Sequence, residues 1–179
     1  MSTAGNVRDV PFTLRSAVPG DAGAVLALVR ELADYERLTQ LCVATEEDIA
    51  RALFGSRRYA EVLLAARNEE VIGFALFFHN FSTFLGRPGV WLEDLFVRPA
   101  HRRQGCGRAL LKAVAAIARE RGCGRFEWAV LDWNASAIAF YESLGATVLP
   151  DWRIVRVVGE PLQRLAASGQ SPGAALIES

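Results

Sequence analysis

Leu92-Glu93-Asp94-Leu95-Phe96-Val97-Arg98-Pro99-Ala100-His101-Arg102-Arg103-Gln104-Gly105-Cys106-Gly107-Arg108 runs an apolar strand pattern straight into an arginine-rich, glycine-bearing loop. Val90–Val97 reads as a strand, and Pro99 ends it because proline has no N–H for a ladder. Beyond the loop, Leu110, Leu111, Val114, Ala115, Ile117 and Ala118 recur at helical spacing until Gly122 closes the helix. Glycines at such a strand-to-helix junction let backbone N–H groups come close to an anion, and the helix start adds its dipole. Arg98, Arg102 and Arg103 put positive side chains around those amides, so the stretch predicts a pyrophosphate cradle. It is not the dinucleotide fingerprint, which needs G-x-G-x-x-G after the first strand and an acid further on.

Working outward, Phe12–Ser16 alternates as a short strand, and Pro19-Gly20-Asp21 breaks it and opens a helix over Ala22–Tyr35. Thr45-Glu46-Glu47-Asp48 has the form of a capping box for a second helix through Leu53, with Gly55 ending it. Ala60–Ala66 and Val71–Phe78 predict two antiparallel strands joined by Arg67-Asn68-Glu69-Glu70, followed by a loop from His79 to Gly89. On the other side lie a strand at Phe126–Leu131, a helix from Asn134 to Leu144 closed by Gly145, and two last strands at Ala146–Leu149 and Arg153–Val158. This order predicts a mixed α/β (α+β) layer structure with helices covering a sheet. The expected organisation is a flexible lead-in over residues 1–10, one domain over residues 11–167 and a flexible small-residue tail over residues 168–179.

A chain of 179 residues with 51% apolar and 22% charged residues can bury a core without staples. Twenty basic residues balance twenty acidic ones, which leaves no overall positive field for nucleic acid. All the basic residues but Lys112 are arginines, suited to planar recognition of phosphate. Met1–Val10 lacks the basic-then-apolar pattern of a secretory signal, and no membrane-length apolar run occurs, so a cytoplasmic protein without membrane partner is expected. Cys42, Cys106 and Cys123 show no C-x-x-C spacing, and His79 and His101 stand at no metal-ligand spacing from them, so no metal is expected.

Two carboxylates, Glu93 and Asp94, interrupt an otherwise apolar strand, where burial is costly without partners. Successive strand residues face opposite ways, so the two share a pocket only if a bulge intervenes; pairing with arginines is the structural alternative.

The segment Arg102-Arg103-Gln104-Gly105-Cys106-Gly107 resembles the R/Q-x-x-G-x-G/A acetyl-CoA motif of the GNAT superfamily of N-acetyltransferases. Glu31-Leu32-Ala33-Asp34-Tyr35-Glu36, Leu92-Glu93-Asp94-Leu95-Phe96-Val97 and Leu131-Asp132-Trp133-Asn134 are similar to segments of its diamine (spermidine/spermine) and thialysine branch, and the likeness runs from Thr13 to Leu165. The resemblance implies a central mixed, mostly antiparallel sheet flanked by helices. It also implies acetyl-CoA as cosubstrate, with Leu95, Phe96 and Val97 along its pantetheine arm. Arg102, Arg103, Gln104, Gly105, Cys106, Gly107 and Arg108 would surround the pyrophosphate, with Asn134, Ala137 and Tyr141 beside the cofactor. It gives catalytic roles to Tyr141 as acid for the leaving thiol, to Glu93 as base or water-orienter, and to Asn134. On the amine side it places Tyr35, Glu36, Glu93, Asp94, Trp128, Asp151 and Trp152. The loop Phe81-Ser82-Thr83-Phe84-Leu85-Gly86 lacks the acid of polyamine-specific members and is more like the thialysine branch. Expected, then, is acetyl transfer to a primary amine of a lysine-like amino acid, diamine or polyamine, by a homodimer. Protein or peptide N-acetylation, antibiotic amines and a non-catalytic acyl-CoA sensor remain as alternatives. Direct transfer is favoured over an acyl-cysteine at Cys106, which has no activating neighbours.

Overall fold

A computed structural model of the chain describes residues 12–169. It divides into two compact units after Ala129. The first carries β1 (Thr13–Ser16), α1 (Ala22–Tyr35), α2 (Glu46–Phe54), β2 (Glu61–Arg67), β3 (Glu70–Ser82), β4 (Arg87–Val97), α3 (Cys106–Glu120) and β5 (Arg125–Trp128). The five strands form one sheet in chain order, antiparallel from β1 to β4 and parallel between β4 and β5. The expected mixed, mostly antiparallel sheet with flanking helices is therefore what forms.

Local chemistry explains the element ends. The Thr45 hydroxyl accepts from the Asp48 N–H at 3.2 Å while the Asp48 carboxylate accepts from the Thr45 N–H at 3.1 Å, so α2 starts on a complete capping box. Asp21 caps the 3-10 turn Pro19–Asp21 rather than α1: its carboxylate accepts from the Val18 N–H at 2.7 Å and from both terminal nitrogens of Arg15 at 2.6 and 2.8 Å. Arg15 in turn holds the Asp21 carboxyl below the usual carboxylate range. The β2–β3 turn is short because Asn68 adopts φ +56°, a left-handed conformation that asparagine tolerates.

The β3–β4 hairpin is longer than the sequence pattern suggests. Residues 79–82 and 87–89, expected as loop, continue the ladder to Ser82↔Arg87, leaving only a four-residue turn with Gly86 at φ +60°. Pro88 is tolerated because pairing to β5 begins only at Gly89↔Arg125, so its missing N–H removes no bond on that side.

Side chains at Val62, Leu64, Phe74 and Phe96 face Val25 and Leu28 of α1 and Leu53 of α2 in one buried cluster. The opposite face carries Leu63, Ala75 and Val97, over which α3 lays Leu110, Leu111 and Val114, all buried. The sheet is thus buried on both faces beneath its helices, which accounts for the near-continuous apolar run of β2.

The second unit holds α4 (Ala135–Glu142) and α5 (Gly159–Ala167). The two closing strands expected at Ala146–Leu149 and Arg153–Val158 do not form; both segments are irregular. β-branched residues favour a strand only where a neighbouring strand takes up the backbone groups, and no strand exists among the described residues of this unit. Ile154, Val155 and Val158 are accordingly exposed. The sequence reading also missed α5, in which Pro161 sits in the first turn, where its lack of an N–H costs nothing, and Glu160 pairs with Arg164 at 2.9 Å. The expected lead-in over residues 1–10 and all but Ser168 and Gly169 of the expected tail lie outside the described residues.

The close approach of β3 to β4 offers a test. A Cβ added at Gly73 would sit 2.7 Å from the Phe96 carbonyl oxygen and 3.1 Å from Val97 Cγ2. Gly73→Ala should cost roughly 1–3 kcal/mol by overpacking, read as a lower urea midpoint with unchanged slope.

Candidate active site

The parallel pairing of β4 with β5 stops at Leu92↔Trp128. From Asp94 to Val97, β4 stays paired to β3 on one side while no strand of the described residues pairs with it on the other. The strand edge opened in this way leads directly through Arg98 and the 3-10 turn Pro99–His101 into the glycine loop. Gly105 is the residue before α3 at φ +83°, a conformation that suits glycine. A Cβ there would meet nothing within 4 Å, so space lies open over the helix start. The first intrahelical bond of α3 runs from the Ala109 N–H to the Gly105 carbonyl at 2.9 Å, and the amides before it have no carbonyl of their own helix to bond. An open backbone edge followed by an exposed helix start fits a long thin molecule with an anionic end.

The loop's side chains are used differently from the expectation that three arginines ring the amides. Arg98 turns away and is held by Glu31 at 2.8 Å and Glu70 at 2.8 Å. Arg102 donates from Nε to the Val97 carbonyl at 2.8 Å, and its guanidinium lies over the Tyr35 ring at 4.5 Å and the Phe96 ring at 5.4 Å. Gln104 accepts from Arg67 at the end of β2 and donates to the Ala100 carbonyl at 3.4 Å. Arg103, at φ +63°, is exposed in the loop, and Arg108 is exposed in the first turn of α3. Cys106 is 2% exposed, and burial pushes its thiol up to about 11, so it stays a neutral core thiol at physiological pH.

A bulge sits where β4 carries its two acids. Leu76 opposes Asp94 and Phe77 opposes Leu92, so Glu93 is the extra residue with no partner on β3. The pleat therefore slips by one: Leu92 faces α3, whereas Asp94 shares the α1 face with Leu76 and Phe96. Glu93, exposed, accepts from the Trp91 indole N–H at 2.8 Å. Asp94 is half-buried, and its pKa is raised to about 7 by burial and by the neighbouring charges of Glu93 and Glu36. Burial raises Glu36 as well. Tyr35, Glu36, Glu93 and Asp94, drawn from two distant stretches, thus meet at the end of α1. Trp128 lies at the last β4–β5 pair with its ring 5.0 Å from Phe126 in an edge-on contact.

The second unit brings Asn134, Ala137 and Tyr141 onto one face of α4, at spacings of three and four. Asn134 caps the helix, its side-chain oxygen accepting from the Ala137 N–H at 3.2 Å and from the Ser136 hydroxyl at 3.1 Å. Tyr141 is half-buried beside Phe140, with ring centroids 5.3 Å apart. Asp151 and Trp152 lie exposed in the irregular stretch and join no cluster within their unit. The sequence reading missed Trp91, Arg67 and the use of Arg98, because the partners that define them sit far away in the chain. Among the described residues no group of His, Cys, Asp and Glu could hold a metal ion, and no helix is long and apolar enough to cross a membrane.

Comparison with known proteins agrees with this geometry. The acetyltransferase (GNAT) family model matches residues 26–146. Thialysine N-epsilon-acetyltransferase of Bos taurus is 38% identical over 86% of this chain and 96% of its own length. L-ornithine N5-acetyltransferase of Arabidopsis thaliana is 36% identical over 85% of this chain and 86% of its length. Among solved structures, an integron cassette protein from the mobile metagenome of V. cholerae superposes with a TM-score of 0.75 at 27% identity, covering 88% of this chain and 98% of its own. With a strand opening, a glycine loop and relatives of this identity and coverage, the chain belongs to the acetyltransferase (GNAT) family and is an N-acetyltransferase.

Proposed function

We propose that this enzyme moves an acetyl group from acetyl-CoA to a primary amine of a small molecule, a thialysine- or lysine-like amino acid, a diamine or a polyamine, by direct attack in a ternary complex. The observation that carries the proposal is the end of β4–β5 pairing at Leu92↔Trp128, directly before the glycine loop. The names of relatives that acetylate thialysine and L-ornithine support the amine class. On this reading the backbone of Leu95, Phe96 and Val97 pairs with the pantetheine arm, and the loop from Arg102 to Arg108 receives the pyrophosphate. Asn134, Ala137 and Tyr141 line the cofactor from α4, while Tyr35, Glu36, Trp128, Asp151 and Trp152 bound the amine. Residues 11–167 act as one catalytic domain in a cytoplasmic homodimer.

Acetyl-CoA supplies an acyl group activated as a thioester. The chain's task is protons and charge. A primary amine with pKa near ~10 arrives as an ammonium ion, which Glu36, Glu93 and Asp94 attract. Glu93, directly or through a water it orients, takes the proton that leaves the nitrogen, and the freed lone pair forms the C–N bond as the C–S bond breaks. The Tyr141 hydroxyl gives its proton to the departing sulfur. Cys106, buried and neutral, has no part as a nucleophile.

CoA release from acetyl-CoA should appear with ornithine, lysine analogues or diamines; cofactor binding without release across all of them would instead favour an acyl-CoA sensor. Gly105→Val should sharply weaken CoA binding in calorimetry, because a branched side chain at φ +83° strains the loop and fills the space above the helix start. Tyr141→Phe should lower turnover about 100-fold while leaving CoA affinity nearly unchanged, and wild-type turnover in a folded variant would remove the acid role. Asp94 gives a pH test. Its folded pKa, about 7, lies above the unfolded carboxylate value, so the folded state holds the proton more tightly. That stabilisation is complete at low pH and is lost as pH rises through about 7. Asp94→Asn, which cannot ionise, should therefore gain melting temperature over the wild type as pH goes from ~5 to ~8. The wild-type kcat/KM should rise through the same pH range, and the variant should lack that inflection.

A further inference from the structure

Arg102 belongs to the loop by sequence, yet its side chain leaves it. One flat cation joins three elements: Tyr35 at the last position of α1, Phe96 and the Val97 carbonyl at the end of β4, and the loop through Arg102's own backbone. The two rings are unequal walls. Phe96 is 4% exposed and fixed in the core cluster, whereas Tyr35 is 36% exposed at a helix end. Tyr35 directly precedes Glu36, whose charge acts on Asp94. On the loop side the next residue, Arg103, is held at φ +63°, and Gly105 follows at φ +83°. The backbone directly after Arg102 is thus held in an uncommon conformation for a residue with a side chain, so the loop and Arg102 are connected through a short, sharply turned stretch.

We propose that Arg102 is a positioning residue that couples the two binding steps, so that the loop's engagement with CoA fixes Arg102, Arg102 fixes Tyr35, and the end of α1 is thereby set beside Glu93 and Asp94. The inference rests on the reading of Arg103–Arg108 as the CoA loop. The clamp depends on shape as well as charge. A guanidinium offers a planar face to each ring and an Nε–H to the carbonyl, which a lysine ammonium cannot reproduce together. Coupling between sites is reciprocal in binding free energy, so an amine that orders Tyr35 strengthens CoA binding by the factor by which CoA strengthens the amine, and removing the Tyr35 ring takes that link away.

Calorimetric titration of CoA into the full chain tests this, with each variant's melting temperature measured to show that it folds. Tyr35→Ala should weaken CoA binding roughly three- to tenfold, the range of a partly exposed cation–π contact. Tyr35→Phe keeps the ring and should lose less CoA affinity than Tyr35→Ala, while Arg102→Lys should lose as much as Tyr35→Ala. The double variant Tyr35→Ala/Arg102→Ala should bind no more weakly than Arg102→Ala alone, because the second change removes a contact already gone. A Tyr35→Ala variant within twofold of wild type for CoA, or single effects that multiply in the double variant, would overturn the coupling and leave Tyr35 as a wall of the amine site. If Tyr35→Ala does not fold, Tyr35→Leu, of similar bulk without a π face, carries the same prediction. A wild-type chain that binds no CoA, or a folded Gly105→Val variant that binds it as tightly as wild type, overturns the loop reading itself and the coupling with it.

Discussion

A strand in the middle of a sheet normally spends its backbone groups on two neighbours, and the candidate site opens where β4 stops doing so halfway along. From Gly89 to Leu92 it is paired on both sides; from Asp94 to Val97 only β3 remains among the described residues. Backbone N–H and C=O groups left unpaired and away from water are costly, so an open edge persists only if water or a ligand completes it. The rest of the first unit keeps that edge in place. Phe96 is anchored among Val25, Leu28, Leu64 and Phe74, and Gly73 lets β3 come close enough to hold the segment from the other side. Opening a strand edge without a rigid frame would invite the strand to slip; here the frame fixes its register.

The bulge at Glu93 is the second consequence of the same stretch. A regular strand would have put one acid over α3 and the other over α1. The extra residue turns the pleat, so both carboxylates act on one region, where Glu36 adds a third. Three acids cannot all ionise cheaply in a half-buried place, and the load falls on Asp94, the most confined of them. Glu93 remains exposed and accepts from the Trp91 indole N–H. The result is a region whose negative charge grows near neutral pH, which on the proposed reading suits a site that attracts an ammonium ion and then lets its proton go.

Much of this was legible in the residues. The capping box at Thr45, the turn at Asn68 and the strand-to-helix junction at Pro99–Gly107 are local signals, and each formed as read. Signals that depend on a distant partner were not legible. Nothing near Leu92 says where β5 will stop pairing, and whether Glu93 bulges is decided by the register of Leu76 and Phe77. Arg98 looked like a cation for the loop, but it pairs with Glu31, 67 residues earlier in the chain. The stretch Arg153–Val158 failed for the same reason in reverse: its alternation and β-branching are strand-like, and the described residues of its own unit hold no strand to pair with it.

Counting arginines in the loop therefore overstates its positive charge. Arg98 and Arg102 have their guanidinium groups committed to acids, aromatic rings and a carbonyl. On the proposed reading, attraction for a pyrophosphate comes chiefly from the α3 helix start, helped by the exposed Arg103 and Arg108. A balanced chain of 20 basic and 20 acidic residues can bind an anion in this way because amide dipoles aimed at one point act at hydrogen-bond range, where long-range net charge matters little. The division also separates roles within one motif. Arginines that face the open space contribute charge, and those turned inward set the shape of the loop, so replacing an inward one should disturb geometry on the amine side before it disturbs electrostatics on the cofactor side.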